Sequence, residues 1–188
     1  MRNASNARTF HAAILACAVF LSSCGNKTPL VEGPSTLELQ IPAFASLVIP
    51  TPYTCDGSDT SPALSWSQPP ANTQSLALTI VDTDTPIGFV HWVIFNIPSQ
   101  TRELPQGLAK QAALPDGSQQ GMTDFDKVGY SGPCPPGSSP HHYVFTLYAL
   151  DTKLNLPANA TRKQLESAMK GHILANGQFT AHYLRHQN

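Results

Sequence analysis

From residue 36 onward the apolar positions fall into short runs broken by proline, glycine and Asp/Ser clusters. That spacing belongs to strands and turns rather than helices. Leu37, Leu39 and Ile41 alternate with polar partners, which predicts an amphipathic strand over Thr36–Ile41. Phe44–Ile49 predicts a second, closed by Pro50 and Pro52, and Ala63–Trp66 a short third after a turn-rich loop. Ser75–Val81 (SLALTIV) is nearly all apolar, as a central strand buried on both faces must be, and it ends in Asp82-Thr83-Asp84-Thr85-Pro86. Further strands are expected over His91–Ile97, stopped by Pro98, and over His141–Leu150. Helical spacing is clear once. Thr161 and Gln164 form a capping box, Leu165, Ala168 and Met169 a buried stripe, and Gly171 a stop. Another helical turn is expected over His172–Asn176, then a closing strand over Gln178–Leu184. Pro105–Val128 has no periodicity, so it is a lid, a binding loop or in part unstructured.

Strand periodicity also sorts the chemistry. In Gly129–Leu150 (GYSGPCPPGSSPHHYVFTLYAL) a stiff Gly/Pro/Ser loop delivers His141 and Tyr143 to one face of a strand, with His142 on the other. Imidazole and phenol side by side supply hydrogen-bond donors, and glycine lets backbone N–H groups come close to a ligand. Such a rim suits a small anion. Asp82 stands at the end of the buried strand and His91 at the start of the next. Each position also has an ordinary reading, as a polar group at a core edge or as turn chemistry. A metal is not expected: no histidine pair has helical i, i+4 spacing, Cys-x-x-Cys is absent, and His141 and His142 face opposite ways.

The 188 residues suffice for one domain with a sizeable core. Few charges (12%) and many prolines (17) fit a loop-rich globular chain. The formal charge of −1 and the lack of a Lys/Arg run leave nucleic acid without an electrostatic footprint. Residues 1–23 read as a signal peptide, with Arg2 and Arg8 before a short apolar stretch around Ile14–Leu21. Leu21-Ser-Ser-Cys24 resembles a bacterial lipobox, which implies cleavage before Cys24 and acylation of its thiol; an ordinary secretory signal is the competing reading. With Gly25 next, such lipoproteins go on to the outer membrane of double-membraned bacteria. The mature chain has nine Lys/Arg against twelve Asp/Glu, a charge of −3. Residues 24–36 read as a flexible tether and 37–188 as the folded domain. Cys55 and Cys134 remain as an even pair in an oxidising compartment, either bridged or as two separate buried thiols.

Four blocks in order, CDGSDTSPALSW, DTDTPIGFVHWVIFNIP, GYSGPCPPGSSPHHYVFTLYAL and GHILANG, resemble the phosphatidylethanolamine-binding protein (PEBP) family in its bacterial YbhB/YbcL, Raf-kinase-inhibitor-like branch. The resemblance runs from about Leu37 to the C-terminus. It implies a mainly β fold, an antiparallel β-sandwich of a large and a small sheet with one or two short C-terminal helices. It also implies a pocket for small anions such as phosphate or a phosphoryl headgroup. The pocket residues then fall on Asp82, His91, His141, Tyr143, Gly132 with Pro133 beside it, and Phe89 at the rim. Two departures stand out: Thr83 and Thr85 replace Pro and Ala, which implies a looser turn, and His142 replaces an arginine. On this reading the chain is an extracytoplasmic binding protein, held to the cell envelope through Cys24, with no cofactor and no catalysis. Alternatives are an inhibitor of a serine protease or another protein and, with less support, a phosphoester or acyl-ester hydrolase.

Overall fold

The computed structural model describes residues 27, 29, 30 and 32–185; the signal segment, Cys24 and Gly25 lie outside them. The elements, in chain order, are β1 (Leu39–Gln40), β2 (Leu64–Trp66), β3 (Ser75–Asp82), β4 (Phe89–Pro98), β5 (Glu103–Leu104), β6 (Gln119–Gln120), β7 (His141–Leu150), α1 (Arg162–Met169) and β8 (Ile173–Tyr183). A five-stranded antiparallel sheet, β6-β4-β3-β7-β8, packs on a three-stranded one, β1-β2-β5. All eight residues of β3 are buried. Leu76, Leu78 and Ile80 project toward the small sheet with Trp92, Phe145 and Leu147. Ala77 turns the other way, into a cluster closed by Leu165 and Met169 of α1. A strand covered on both sides must be apolar throughout, which is why Ser75–Val81 shows no alternation.

The helix forms as expected. Thr161 Oγ1 accepts from the Gln164 N–H at 3.3 Å, and Gln164 Oε1 accepts from the Thr161 N–H at 2.8 Å. Two expectations fail. Phe44–Ile49 is no strand: Pro42–Phe44 is a 3-10 turn, Leu47 takes a left-handed φ of +60°, and Val48 makes only an isolated bridge to His182. The apolar residue there is a plug, since Phe44 drops edge-on against Tyr53 and Phe145. His172–Asn176 is not helical either. Once Gly171 ends α1 at φ +76°, Ile173 pairs with Leu150 and the closing strand runs through to Tyr183. A continuous ladder against β7 outweighs the weak helical preference of a five-residue stretch. Among the described residues the chain therefore has one α-helix.

Two segments left open are ordered. The connection 105–128 is pinned by Gln120, whose amide donates to the carbonyls of Ala109 (2.7 Å) and Gln111 (2.8 Å) and accepts from Trp92 Nε1 (2.8 Å). The described residues of the 24–36 tether do not hang free. Pro29 is buried, Leu30 packs beneath α1, and Asn176 Nδ2 donates to the carbonyls of Glu32 (3.0 Å) and Gly33 (3.1 Å).

Cys55 and Cys134 form a disulfide with a Cα–Cα distance of 5.4 Å across 79 positions of chain. Closing so long a loop restricts the unfolded chain, by about 4.5 kcal/mol in the entropy model. The double variant Cys55→Ser/Cys134→Ser is expected to lose about 3–4.5 kcal/mol in urea unfolding; a loss below ~1 kcal/mol would show that these loops are already restricted in the unfolded state.

Candidate functional site

Asp82 is the last residue of β3, and the register sets it level with Phe89 on β4 and Tyr143 on β7. Three side chains thus line up across one end of the large sheet, on the face toward the small one. His141 lies two residues before Tyr143 and shares its face. His91 joins them through a defect. Ile80 pairs with Trp92 and Val81 with Val90, so His91 is the extra residue of a β-bulge. A bulge re-aims a side chain. Here it brings the imidazole edge-on to Tyr143 at 5.0 Å between ring centres and 5.4 Å from Phe89.

Asp82 grips His141, not His91. Its Oδ2 accepts from His141 Nδ1–H at 2.7 Å, and its Oδ1 accepts the Asp84 backbone N–H at 2.9 Å. His91 instead gives Nδ1–H to the Ser131 carbonyl at 2.8 Å, while the Ser131 N–H returns to the His91 carbonyl at 2.9 Å. Asp82, His91 and Tyr143 are 3%, 2% and 0% exposed, so this cluster, called the pit below, is nearly closed to solvent. Burial holds the His91 imidazole below its ordinary value near 6.5, with the Ser131 carbonyl and the Asp82 charge opposing. Burial, then the Asp82 charge, pushes the Tyr143 phenol far up, so it stays a neutral donor. Its hydroxyl makes no well-aligned hydrogen bond, and the Asp82 carboxylate beside it acts on it by charge and as a nearby acceptor.

The proline loop contributes differently than expected. A Cβ on Gly132 would collide with the Tyr53 carbonyl and crowd the Thr54 backbone, so only glycine fits. Its N–H, however, is taken by Asp59 Oδ1 at 2.6 Å and does not face a ligand. Asp59 in turn pairs with Lys110. Pro133 is buried and its carbonyl accepts the Cys55 N–H at 3.1 Å, beside the disulfide. Tyr130 adds a 2.6 Å bond from its hydroxyl to the Tyr53 carbonyl. The loop is thus a buttress that fixes the Ser131 carbonyl under His91.

His142 points outward as expected, and Asp84 accepts both its N–H (2.6 Å) and its Nδ1–H (2.9 Å). The two threonines tighten the turn rather than loosen it: Thr83 Oγ1 donates to the His142 carbonyl at 3.3 Å and Thr85 Oγ1 to the Asp82 carbonyl at 3.2 Å. One wall had escaped notice. Phe125, from the connection without periodicity, packs 4.7 Å from Phe89 and 5.3 Å from His91. Asp59 was missed too, because an aspartate inside Asp56-Gly-Ser-Asp59 looks like turn chemistry alone. Among the described residues no group of three or more His, Cys, Asp and Glu is arranged to hold a metal. A cavity of about 540 Å³, lined by Leu30, Ile87, Val90 and residues of α1, reaches Val90 beneath the α1 side and is separate from the pit.

Residues 43–184 match the phosphatidylethanolamine-binding protein family. The chain belongs to that family. Among curated relatives, a UPF0098 protein of Pyrococcus horikoshii is 46% identical over 141 residues, covering 73% of this chain and 71% of its own. YbhB of Escherichia coli is 41% identical over 67% of this chain and 82% of its own. Among solved structures, Escherichia coli YbcL superimposes with a TM-score of 0.74 at 31% identity, over 80% of this chain and 99% of its own. A PEBP homologue from Chlamydia trachomatis gives 0.71 at 33% identity, over 80% and 98%. The β-sandwich with a large and a small sheet is therefore that of the PEBP neighbours.

Two outcomes check this geometry. Gly132→Ala should cost about 1–3 kcal/mol and loosen the His91–Ser131 bond, seen as a shift of the His91 Nδ1 resonance; an unmoved resonance would show that the loop is no buttress. Second, His91 is held neutral by the fold, while the unfolded chain takes up a proton near pH 6.5. Its stabilising contribution is complete above that pH and is lost as pH falls toward the lower folded value. Unfolding measured from pH 7.5 to 5 should therefore show a shallower acid loss in His91→Gln than in the natural chain.

Proposed function

We propose that this PEBP-family chain is an extracytoplasmic binding protein, tied to the cell envelope through Cys24. Its pit takes a small anion, phosphate or the phosphoryl group of a headgroup. The observation that carries the reading is the Tyr143 hydroxyl: a buried donor with no well-aligned bond, beside the Asp82 carboxylate and two histidines. Leaving such a group unpaired costs about 1–3 kcal/mol, which an arriving oxygen acceptor returns. The Asp82 carboxylate orients His141 through Nδ1, so that ring's Nε2 is its remaining polar atom. His91, with Nδ1–H committed to Ser131, can donate from Nε2 only after taking up a proton. An anion supplies the charge that makes this uptake favourable, against the burial that opposes it.

The same groups are ill suited to hydrolysis. A phenol pushed far up is a poor nucleophile at neutral pH, and both described cysteines are in the disulfide. Ser131 contributes through its backbone, and among the described residues no serine or threonine hydroxyl is bonded to the Asp82 carboxylate or the His141 ring.

Calorimetric titration of the mature chain carrying Cys24→Ser is the test, with sulfate, whose charge is constant in this range, and with phosphoethanolamine. Binding should strengthen as pH falls from 8 to 5.5 with proton uptake, because the anion raises the pKa of His91. Tyr143→Phe should weaken it about tenfold or more, one charge-assisted bond's worth, and His91→Ala should remove most of the pH slope. No heat with either anion, or an unchanged slope in His91→Ala, would refute the reading.

A further inference from the structure

The described N-terminal segment is fastened along its whole length, and where it ends matters. Leu37 N–H donates to the Asn176 carbonyl (3.0 Å), Asn176 N–H to the Pro34 carbonyl (3.0 Å), and Leu30 N–H to Glu166 Oε1 (3.3 Å). With the two bonds from Asn176 Nδ2, a residue only 1% exposed, the segment is laid along β8 and α1. Its first described residue, Lys27, lies against the β3–β4 turn, where its carbonyl occupies the space a Cβ on Gly88 would need. Gly88 sits at φ +75°, so glycine is required twice over.

From Lys27 to Cys24 is three residues, at most about 11 Å of extended chain. An anchor at Cys24 therefore holds the β3–β4 turn against its membrane. The surface there has matching chemistry. Ile87, on the turn, is 68% exposed, the most exposed of the large apolar side chains. It lines one concavity with Lys163 and Lys170 of the α1 region, both exposed, and Lys27 is exposed nearby. The acids of that concavity are engaged: Glu166 with Arg162 Nε (2.7 Å) and the Leu30 N–H, Asp124 with the Val90 N–H (2.8 Å). Asp84, the exposed acid of the turn, pairs with His142 (2.9 Å), and an apolar tip beside three lysines is what the headgroup layer of a bilayer containing anionic phospholipid receives.

We propose that the β3–β4 turn, with Ile87 and the lysines 27, 163 and 170, docks on the headgroup layer of the bilayer that carries Cys24. The domain then does not swing on a tether. Asp82 and Phe89 flank this turn, so the pit stands at the membrane end of the sheet. The proposal rests on the anchoring part of the functional reading and not on anion binding.

The test uses the full acylated chain in vesicles of phosphatidylethanolamine and phosphatidylglycerol. With Cys24 acylated and Cys55–Cys134 bridged, Ile87→Cys and Gln100→Cys each present one free thiol for an environment-sensitive fluorophore. Gln100 is exposed just beyond β4, at the far end of the sheet. The label at 87 should be blue-shifted and several-fold better shielded from an aqueous quencher than that at 100. Lys163→Glu with Lys170→Glu should reduce the shielding. Equal quenching at 87 and 100 in vesicle-bound protein would overturn the proposal. Mass spectrometry showing Cys24 unacylated would overturn it as well, whereas failure of the sulfate titration would touch only the pit.

Discussion

Strand β3 has no face toward solvent, and most of the architecture follows from that. A strand buried on both sides needs two covering layers, here the small sheet and α1 with the chain around it. It also needs a ladder partner on each edge, which β4 and β7 supply. Its polar end is where the apolar run gives way to ionisable groups while burial continues. Asp82 is where the apolar run stops, and the two neighbours deliver Phe89 and Tyr143 to the same level. The site is the polar, fully paired end of a buried strand.

What turns that end into a site is a set of deliberate mismatches. The bulge spends one residue of β4 to put His91 on the pit face instead of the helix face. The Ser131 carbonyl then fixes one ring nitrogen, and the loop bearing it is braced through Gly132, Tyr130, Pro133 and the disulfide. The two histidines come out unlike. One leans on a carboxylate, the other on a neutral carbonyl in a dry wall, and burial keeps the second uncharged. Cationic character at His91 needs a negative charge beside it to offset that burial, so the proposed reading is one of an anion entering with a proton rather than of a permanently charged pocket.

Much of this was legible in the residue pattern. The continuous apolar run of β3, the capping box of α1 and the shared face of His141 and Tyr143 are local consequences of period and composition. Four ordered blocks that resemble one family named Asp82, His91, His141, Tyr143 and Phe89, which the fold gathers at one end of the large sheet. What escaped were long-range effects. Phe44 looked like the start of a strand because an apolar plug and a strand residue share a side chain; only Pro42 and the left-handed Leu47 decide between them. The run after Gly171 looked helical because its partner, β7, is distant in sequence. Phe125, Asp59 and the docking of the described residues before 37 depend on contacts across 34 to 144 positions, which no window reveals. Gly132 was located correctly but assigned an amide role that Asp59 already occupies.

The docked N-terminus bears on how such a pit reaches a ligand. A flexible tether would let the domain sample every orientation, and a headgroup would have to be met by chance. Here a buried asparagine is committed to holding the segment, and ordering each of those residues costs about 1–2 kcal/mol of backbone entropy. A linker that served only to keep a domain off a membrane would not require that cost. Ordering makes sense if orientation matters, and the packing puts the Asp82–Phe89 turn beside Lys27, three residues from the proposed anchor. The constraint that buries β3 and the constraint that lays down the described N-terminal residues thus meet at one turn, with Asp82, Phe89 and the two histidines on one side of it and the chain leading toward Cys24 on the other.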